Sequence, residues 1–176
     1  MSYRYLLPML PILLTAWWWS GCKAHREPLP VVASVDLQRY AGRWYEIARY
    51  PNCFERNCVG VTANYILRDD GKIRVENRAH VGSLDGKMKT AIGRAWVAPG
   101  GENAKLHVSF FAPFQADYWI IALGEQYDYA VVSEPSRHYL WILCRTPKMD
   151  EVRYQQLLTF LTTRGFDTTK LVVTPQ

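Results

Sequence analysis

From Arg43 onward, apolar and polar residues alternate in short runs separated by turn residues. Alternation with a period of two marks strands that bury one face and wet the other. The runs predict strands at Arg43–Tyr50, Val59–Leu67, Lys72–Val81, Lys89–Ala98, Lys105–Phe111, Tyr118–Leu123, Tyr129–Ser133 and Tyr139–Arg145. Arg68-Asp69-Asp70-Gly71, Asp85-Gly86, Pro99-Gly100-Gly101, Pro113, Gly124 and Pro135 punctuate them, as turns require. After Pro147 the period lengthens. Met149, Val152, Leu157, Leu158 and Leu161 recur at helical steps, Asp150 and Glu151 stand at the start, and Gly165 follows as a stop. Sequential strands with short connections and no intervening helix predict an antiparallel up-and-down meander. Eight such strands close into a barrel wide enough for one small ligand, although a two-sheet sandwich fits the same count. The single C-terminal helix is too small for a domain and must pack on the wall. Lys170–Thr174 is expected as a last short strand.

The first residues follow a different plan. A short basic region around Arg4, an apolar run from Leu6 to Trp19 and small Ser20-Gly21 form the parts of a secretory signal. Pro8 and Pro11 would kink a permanent spanning helix. Ser20-Gly21-Cys22 resembles the bacterial lipobox, with Trp19 where an aliphatic residue is usual. The resemblance implies cleavage before Cys22 and acylation of its thiol. Lys23 rather than Asp follows, which implies sorting to the outer membrane. The expected organisation is a signal peptide at 1–21, an acylated tether at 22–34 containing Pro28 and Pro30, and one domain at 35–176.

A chain of 176 residues holds one domain of this kind. Past the first twenty residues, which carry only Arg4, 20 Lys and Arg face 16 Asp and Glu. These cations are scattered singly instead of forming the basic stripe of a nucleic-acid binder, so no nucleic-acid partner is expected. Aromatic residues make up 14%, enough to line a cavity as well as to fill a core.

Gly42-Arg43-Trp44-Tyr45-Glu46 at the first strand resembles the Gly-x-Trp motif of the lipocalin family. Tyr127-Asp128-Tyr129 resembles the family's second conserved region, and Leu140-Trp141-Ile142-Leu143-Cys144-Arg145 its third. The helix follows where lipocalins carry theirs. Phe54-Glu55-Arg56, Leu67 to Gly71 and Val108 to Phe111 are similar to the bacterial, apolipoprotein D-like subgroup. The resemblance implies an all-β, eight-stranded antiparallel barrel with one C-terminal α-helix on its wall. It also implies structural roles at the closed end for Gly42, Trp44 and Arg145, the guanidinium stacking on the indole. The implied function is binding of a small hydrophobic or lipid ligand, such as a fatty acid or lysophospholipid, by a protein held to the bacterial outer membrane through acyl chains on Cys22.

Counting by two from Trp44 puts Glu46, Ala48 and Tyr50 inside the barrel. Counting back from Arg145 puts Leu143 and Trp141 there. The expected ligand-binding set is Ala48, Tyr65, Val75, Asn77, Val108, Phe110, Tyr118, Ile120 and Trp141, with Asn77 as a polar handle. For each of these, plain core filling is as good a reading as ligand contact.

Catalysis needs convergent groups, and the pattern offers none. His25, His80, His107 and His138 have no metal-ligand spacing with one another, Ser109 lacks a nucleophile elbow, and Gly100-Gly101 has no phosphate-loop Lys. No enzyme activity, metal or cofactor is expected. An envelope scaffold that binds another protein and a lipocalin-fold enzyme stand as alternatives. Cys53 and Cys58 flank a short loop after the first strand, and in an oxidising envelope they are expected to bridge each other. Relatives of the apolipoprotein D type pair the second of these with a C-terminal Cys that this chain lacks. Cys144 is expected to be reduced and covered by the helix. The oligomeric state is not readable from the pattern.

Overall fold

The alternating runs form a continuous antiparallel ladder in a computed structural model that describes residues 28–99 and 103–176. The strands are β1 (Gly42–Arg49), β2 (Cys58–Leu67), β3 (Ile73–Val81), β4 (Met88–Val97), β5 (Lys105–Phe111), β6 (Phe114–Leu123), β7 (Tyr129–Ser133) and β8 (Leu140–Cys144). Each pairs with the next, and β1 pairs with both β2 and β8, so the sheet closes on itself. This is a barrel and not a sandwich. Closure removes the edges that an open meander would expose. β6 begins four residues before the expected Tyr118, because Ala112-Pro113 alone connects Phe111 to its partner Phe114.

A short helix, α1 (Leu37–Tyr40), precedes β1 and carries no periodic signal in the sequence. Its start is nonetheless written in Asp36, whose carboxylate accepts from the backbone N–H groups of Gln38 and Arg39, satisfying two otherwise orphaned donors. Helix α2 (Glu151–Thr163) is capped in the same way by Asp150. It buries Leu157 and Leu161 against Ile142, Leu140, Val131 and Cys144 on the outer wall. Val152, expected on that face, is exposed instead. Upstream, Leu29 is buried in this outer cluster, and the Val32 N–H donates to Ile120 O on β6. The barrel therefore already holds part of the segment expected as tether.

A second cluster fills the barrel interior and includes Trp44, Tyr65, Val75, Leu106, Ile120, Val132 and Leu143. The partition between the two clusters follows strand parity except at bulges such as those at Ile121 in β6 and Ile47 in β1. Glu46 and Ala48 pair with the consecutive residues Leu143 and Ile142, so Ile47 is a bulge in β1. One extra residue turns every later side chain to the opposite face. A two-residue strand, β9 (Val172–Val173), then pairs with Ala48 and Arg49. The tail beyond it bridges β1 and β2 where they part, since the Thr174 N–H donates to Ile47 O and the Gly60 N–H to Pro175 O.

Candidate functional site

At the closed end, Trp44 is fully buried beneath Arg145, whose Cζ lies 3.8 Å from the indole centroid. The indole N–H donates to Tyr40 O at 2.8 Å. The guanidinium donates to Tyr127 O, Arg43 O and Arg39 O at 3.1, 2.9 and 2.7 Å. One cation thus ties α1, β1 and the turn before β7 across the barrel floor. Gly42 enters this corner at φ +91°, and a Cβ there would lie 3.4 Å from Arg145 Nη1. The positive φ is the reason the residue is glycine, since the contact would be an ordinary one.

Above the floor, three tyrosines converge. The Tyr118 hydroxyl lies 2.7 Å from that of Tyr40 and 2.8 Å from that of Tyr65. Burial raises all three hydroxyl pKa values, to about 12 for Tyr65 and well above the ordinary range for Tyr40 and Tyr118. They are neutral at any physiological pH. Three hydroxyl protons serve two hydrogen bonds, which leaves one O–H without a protein acceptor among the described residues. Tyr65 and Tyr118 are on the expected binding set; Tyr40, on a helix that periodicity does not reveal, is not.

The remaining expected wall residues separate into two groups. Val75 and Ile120 are sealed in the interior core at 2% and 0% exposure. Val108, Phe110, Tyr118 and Trp141 pack against that core yet remain only half-buried. Inward-facing side chains that keep accessible surface line space that protein atoms do not fill. Asn77 lies between Ala63 on β2 and Ala91 on β4, and its buried Oδ1 has no hydrogen-bond partner. Leaving a buried acceptor unpaired costs roughly 1–3 kcal/mol.

Ala48 is a correction. The bulge at Ile47 turns it outward, where it sits fully buried in the helix-side cluster with Ile142 and Leu161, and Tyr50 goes with it. Neither lines the interior. Arg49 turns inward in their place.

Arg49 organises a polar network at the open end, of which strand parity places only Glu46 and Trp141 inside. Its Nη1 donates to Glu46 Oε1 and to Thr174 Oγ1, each at 2.8 Å, and its Nη2 donates to Glu55 O at 2.8 Å. The Arg49 Nε is 3.5 Å from Glu55 Oε2. The Thr174 hydroxyl donates onward to Glu46, and the Trp141 indole N–H donates to Glu55 Oε2 at 3.2 Å. Burial, reinforced by the charge of Glu55, raises the Glu46 carboxyl to about 7 despite the opposing bonds from Thr174 and Arg49. An open cleft of about 450 Å³ borders Arg49, Glu55 and Cys53. None of the expected binding residues lines it.

The expected Cys53–Cys58 bridge is also corrected. Both thiols are free: Cys53 is exposed, and Cys58 is buried with Val61 and Ala79. The first strand residue of β2 draws Cys58 into the sheet while Cys53 stays on the loop surface. Cys144 is free and buried under α2. Cys22 lies outside the described residues.

The described residues bring together apolar walls, a few buried polar atoms and a closed floor. Comparison with known proteins agrees with that architecture. A lipocalin-like domain family matches residues 35–176. The chain is 41% identical to the outer membrane lipoprotein Blc of Citrobacter freundii, over 95% of each chain. It is 36% identical to apolipoprotein D of Mus musculus, over 84% of this chain and 80% of that one. Among solved structures, insecticyanin from the tobacco hornworm Manduca sexta superposes with a TM-score of 0.68 at 22% identity, covering 84% of each chain. That last likeness concerns the fold alone.

Proposed function

Because the chain belongs to the lipocalin family, we propose that it binds, without catalysis, a small hydrophobic ligand of the fatty-acid or lysophospholipid class inside its barrel. The observation that carries this reading is the buried, unpartnered Asn77 Oδ1 on β3, in a barrel where Val108, Phe110 and Trp141 stay half-buried against the interior cluster. An acceptor left unpaired in the barrel wall is satisfied when a bound molecule brings a donor, and Val108, Phe110 and Trp141 take up its apolar part. Burial of an alkyl chain contributes about 0.8 kcal/mol per methylene before the cost of association. The spare tyrosine proton near the floor offers a complementary donor to an oxygenated group that reaches so deep.

The reading places the protein at the bacterial outer membrane, where the Blc relatives are named as lipoproteins. Attachment is by acyl chains on Cys22 after removal of residues 1–21. Two or more buried chains hold such a protein firmly, since one alone gives marginal binding.

Titration of the delipidated protein with lysophosphatidylcholine or palmitate, followed by tryptophan fluorescence, tests the assignment. A saturable change is expected, muted in Trp141→Phe because that indole faces the cavity. Asn77→Leu is expected to weaken binding of the hydroxyl-bearing lysophospholipid about tenfold, the worth of one buried hydrogen bond. Absence of saturable binding by either lipid, with the protein folded, refutes the reading and favours the scaffold alternative.

A further inference from the structure

The barrel wall is not continuous to the rim. Strand β4 pairs with β3 along Met88–Ala95, but with β5 only through Arg94–Val97. Residues 88–93 of β4 therefore carry no ladder partner on their β5 side, while β5 continues upward paired only with β6. The parting starts where the Phe110 ring lies against Gly93. A Cβ at Gly93 would come within 2.8 Å of both that ring and Ser109 O. β5 runs only two residues past its last pair, to Phe111, so beyond a short notch the end of β4, roughly 20 Å of unpaired strand in all, stands free at the rim.

Its borders are apolar and exposed. Met88 and Ile92 stand on one side at 56% and 54% exposure, and Phe111 and Phe114 on the other at 79% and 76%. Ala91 and Ala116 face inward by parity, as neighbours of Asn77 and Val108, yet both are exposed. The notch therefore leads to the cavity wall, and Asn77 is one strand away from it. Unpaired backbone beside four exposed large side chains is a liability in water unless something covers it.

We propose that this notch docks on a phospholipid bilayer surface and is the portal through which lipid passes between the membrane and the cavity. The proposal rests on the lipid-binding reading above. Two further observations favour a bilayer as occupant. Lys87, Lys89 and Arg94 are exposed along the notch, against Asp85 and Asp117, which suits an anionic surface. The described chain also starts against the strand that carries Phe114. Val32 is bonded to Ile120 of β6, the strand whose other end carries Phe114. From Pro28, the six residues back to Cys22 reach at most about 20 Å, and β6 from Ile120 to Phe114 spans about the same. An anchor at Cys22 is thus long enough to hold the notch at the membrane.

The test compares the full protein, purified from its own membrane, with Phe111→Ser/Phe114→Ser, both reconstituted into vesicles of phosphatidylethanolamine and phosphatidylglycerol. Both substitutions are at exposed positions, so the fold should persist. Hydrogen exchange at amides 88–93 and the transfer rate of a fluorescent lysophosphatidylcholine out of the vesicles are measured. On vesicles, the parent is expected to exchange these amides more slowly than the variant and to transfer lipid at least about tenfold faster, since the variant loses two rings that would enter the bilayer. Replacing phosphatidylglycerol by phosphatidylcholine should weaken the protection. Equal exchange and equal transfer in the two proteins overturn the portal. So does protection that depends on protein concentration and not on lipid charge, which would make the notch an interface between copies. Equilibrium binding of lysophosphatidylcholine in solution separates the two readings. If it persists while docking fails, only the portal is lost. If neither protein binds the lipid, the reading beneath it falls and the portal with it.

Discussion

Replacing Glu46 by Gln probes the charge network that ties β1, the β1–β2 loop and the C-terminal tail together at the open end. Glu46 is 2% exposed and receives hydrogen bonds from Arg49 and Thr174. Those bonds favour the carboxylate, but burial and the neighbouring Glu55 outweigh them and raise its pKa from 4.5 to about 7. The folded protein therefore holds this proton more tightly than the unfolded chain. The stabilisation is fully present below pH 4.5 and is lost as pH rises to about 7. A difference of that size corresponds to roughly 3 kcal/mol for the isolated group. Urea unfolding of the parent and Glu46→Gln at intervals from pH 4.5 to pH 8 measures it. The parent's stability, relative to the variant's, should fall across that window and level off above it. Parallel profiles for the two proteins refute the reasoning. A relative rise with pH would show that the Arg49 pairing dominates over burial.

Trp44→Ala should cost about 3–5 kcal/mol of stability in the same assay, as deletions of large buried aromatics do. Unchanged stability with lost ligand affinity would make Trp44 a binding residue instead. Gly93→Val forces a Cβ against Ser109 O and the Phe110 ring. It should cost about 1–3 kcal/mol, read as a lower urea midpoint, and an unaffected midpoint would mean that the two strands separate more freely than the contact implies. Alkylation without reductant should label exposed Cys53 at once and buried Cys58 and Cys144 only on unfolding. A peptide linking Cys53 to Cys58 would contradict the free thiols.

Much of the fold is legible in the chain alone. Strand number and order, the C-terminal helix and the closed-end pair of Trp44 and Arg145 all follow from local alternation and motif spacing, because each depends on residues close in sequence or on a recurring motif. Of the expected wall residues, Tyr65 and Tyr118 meet through their hydroxyls, and Val108, Phe110 and Trp141 pack half-buried against the interior cluster, the face parity assigns them. Val75 and Ile120 also face inward, but packing against neighbouring strands seals them, and pattern does not report how completely a cavity is filled. Ala48 fails because alternation assumes an unbroken strand. The bulge at Ile47 is decided by how β1 meets β8 and β9, and one inserted residue reverses every later side chain. That reversal brings Arg49 inside, against Glu46 and the Thr174 hydroxyl 125 positions away. The convergence of Tyr40 with Tyr65 and Tyr118, and the parting of β4 from β5, are likewise settled only when the barrel closes. They depend on which strands become neighbours and where their ladders stop, and neither is a property of any local stretch of sequence.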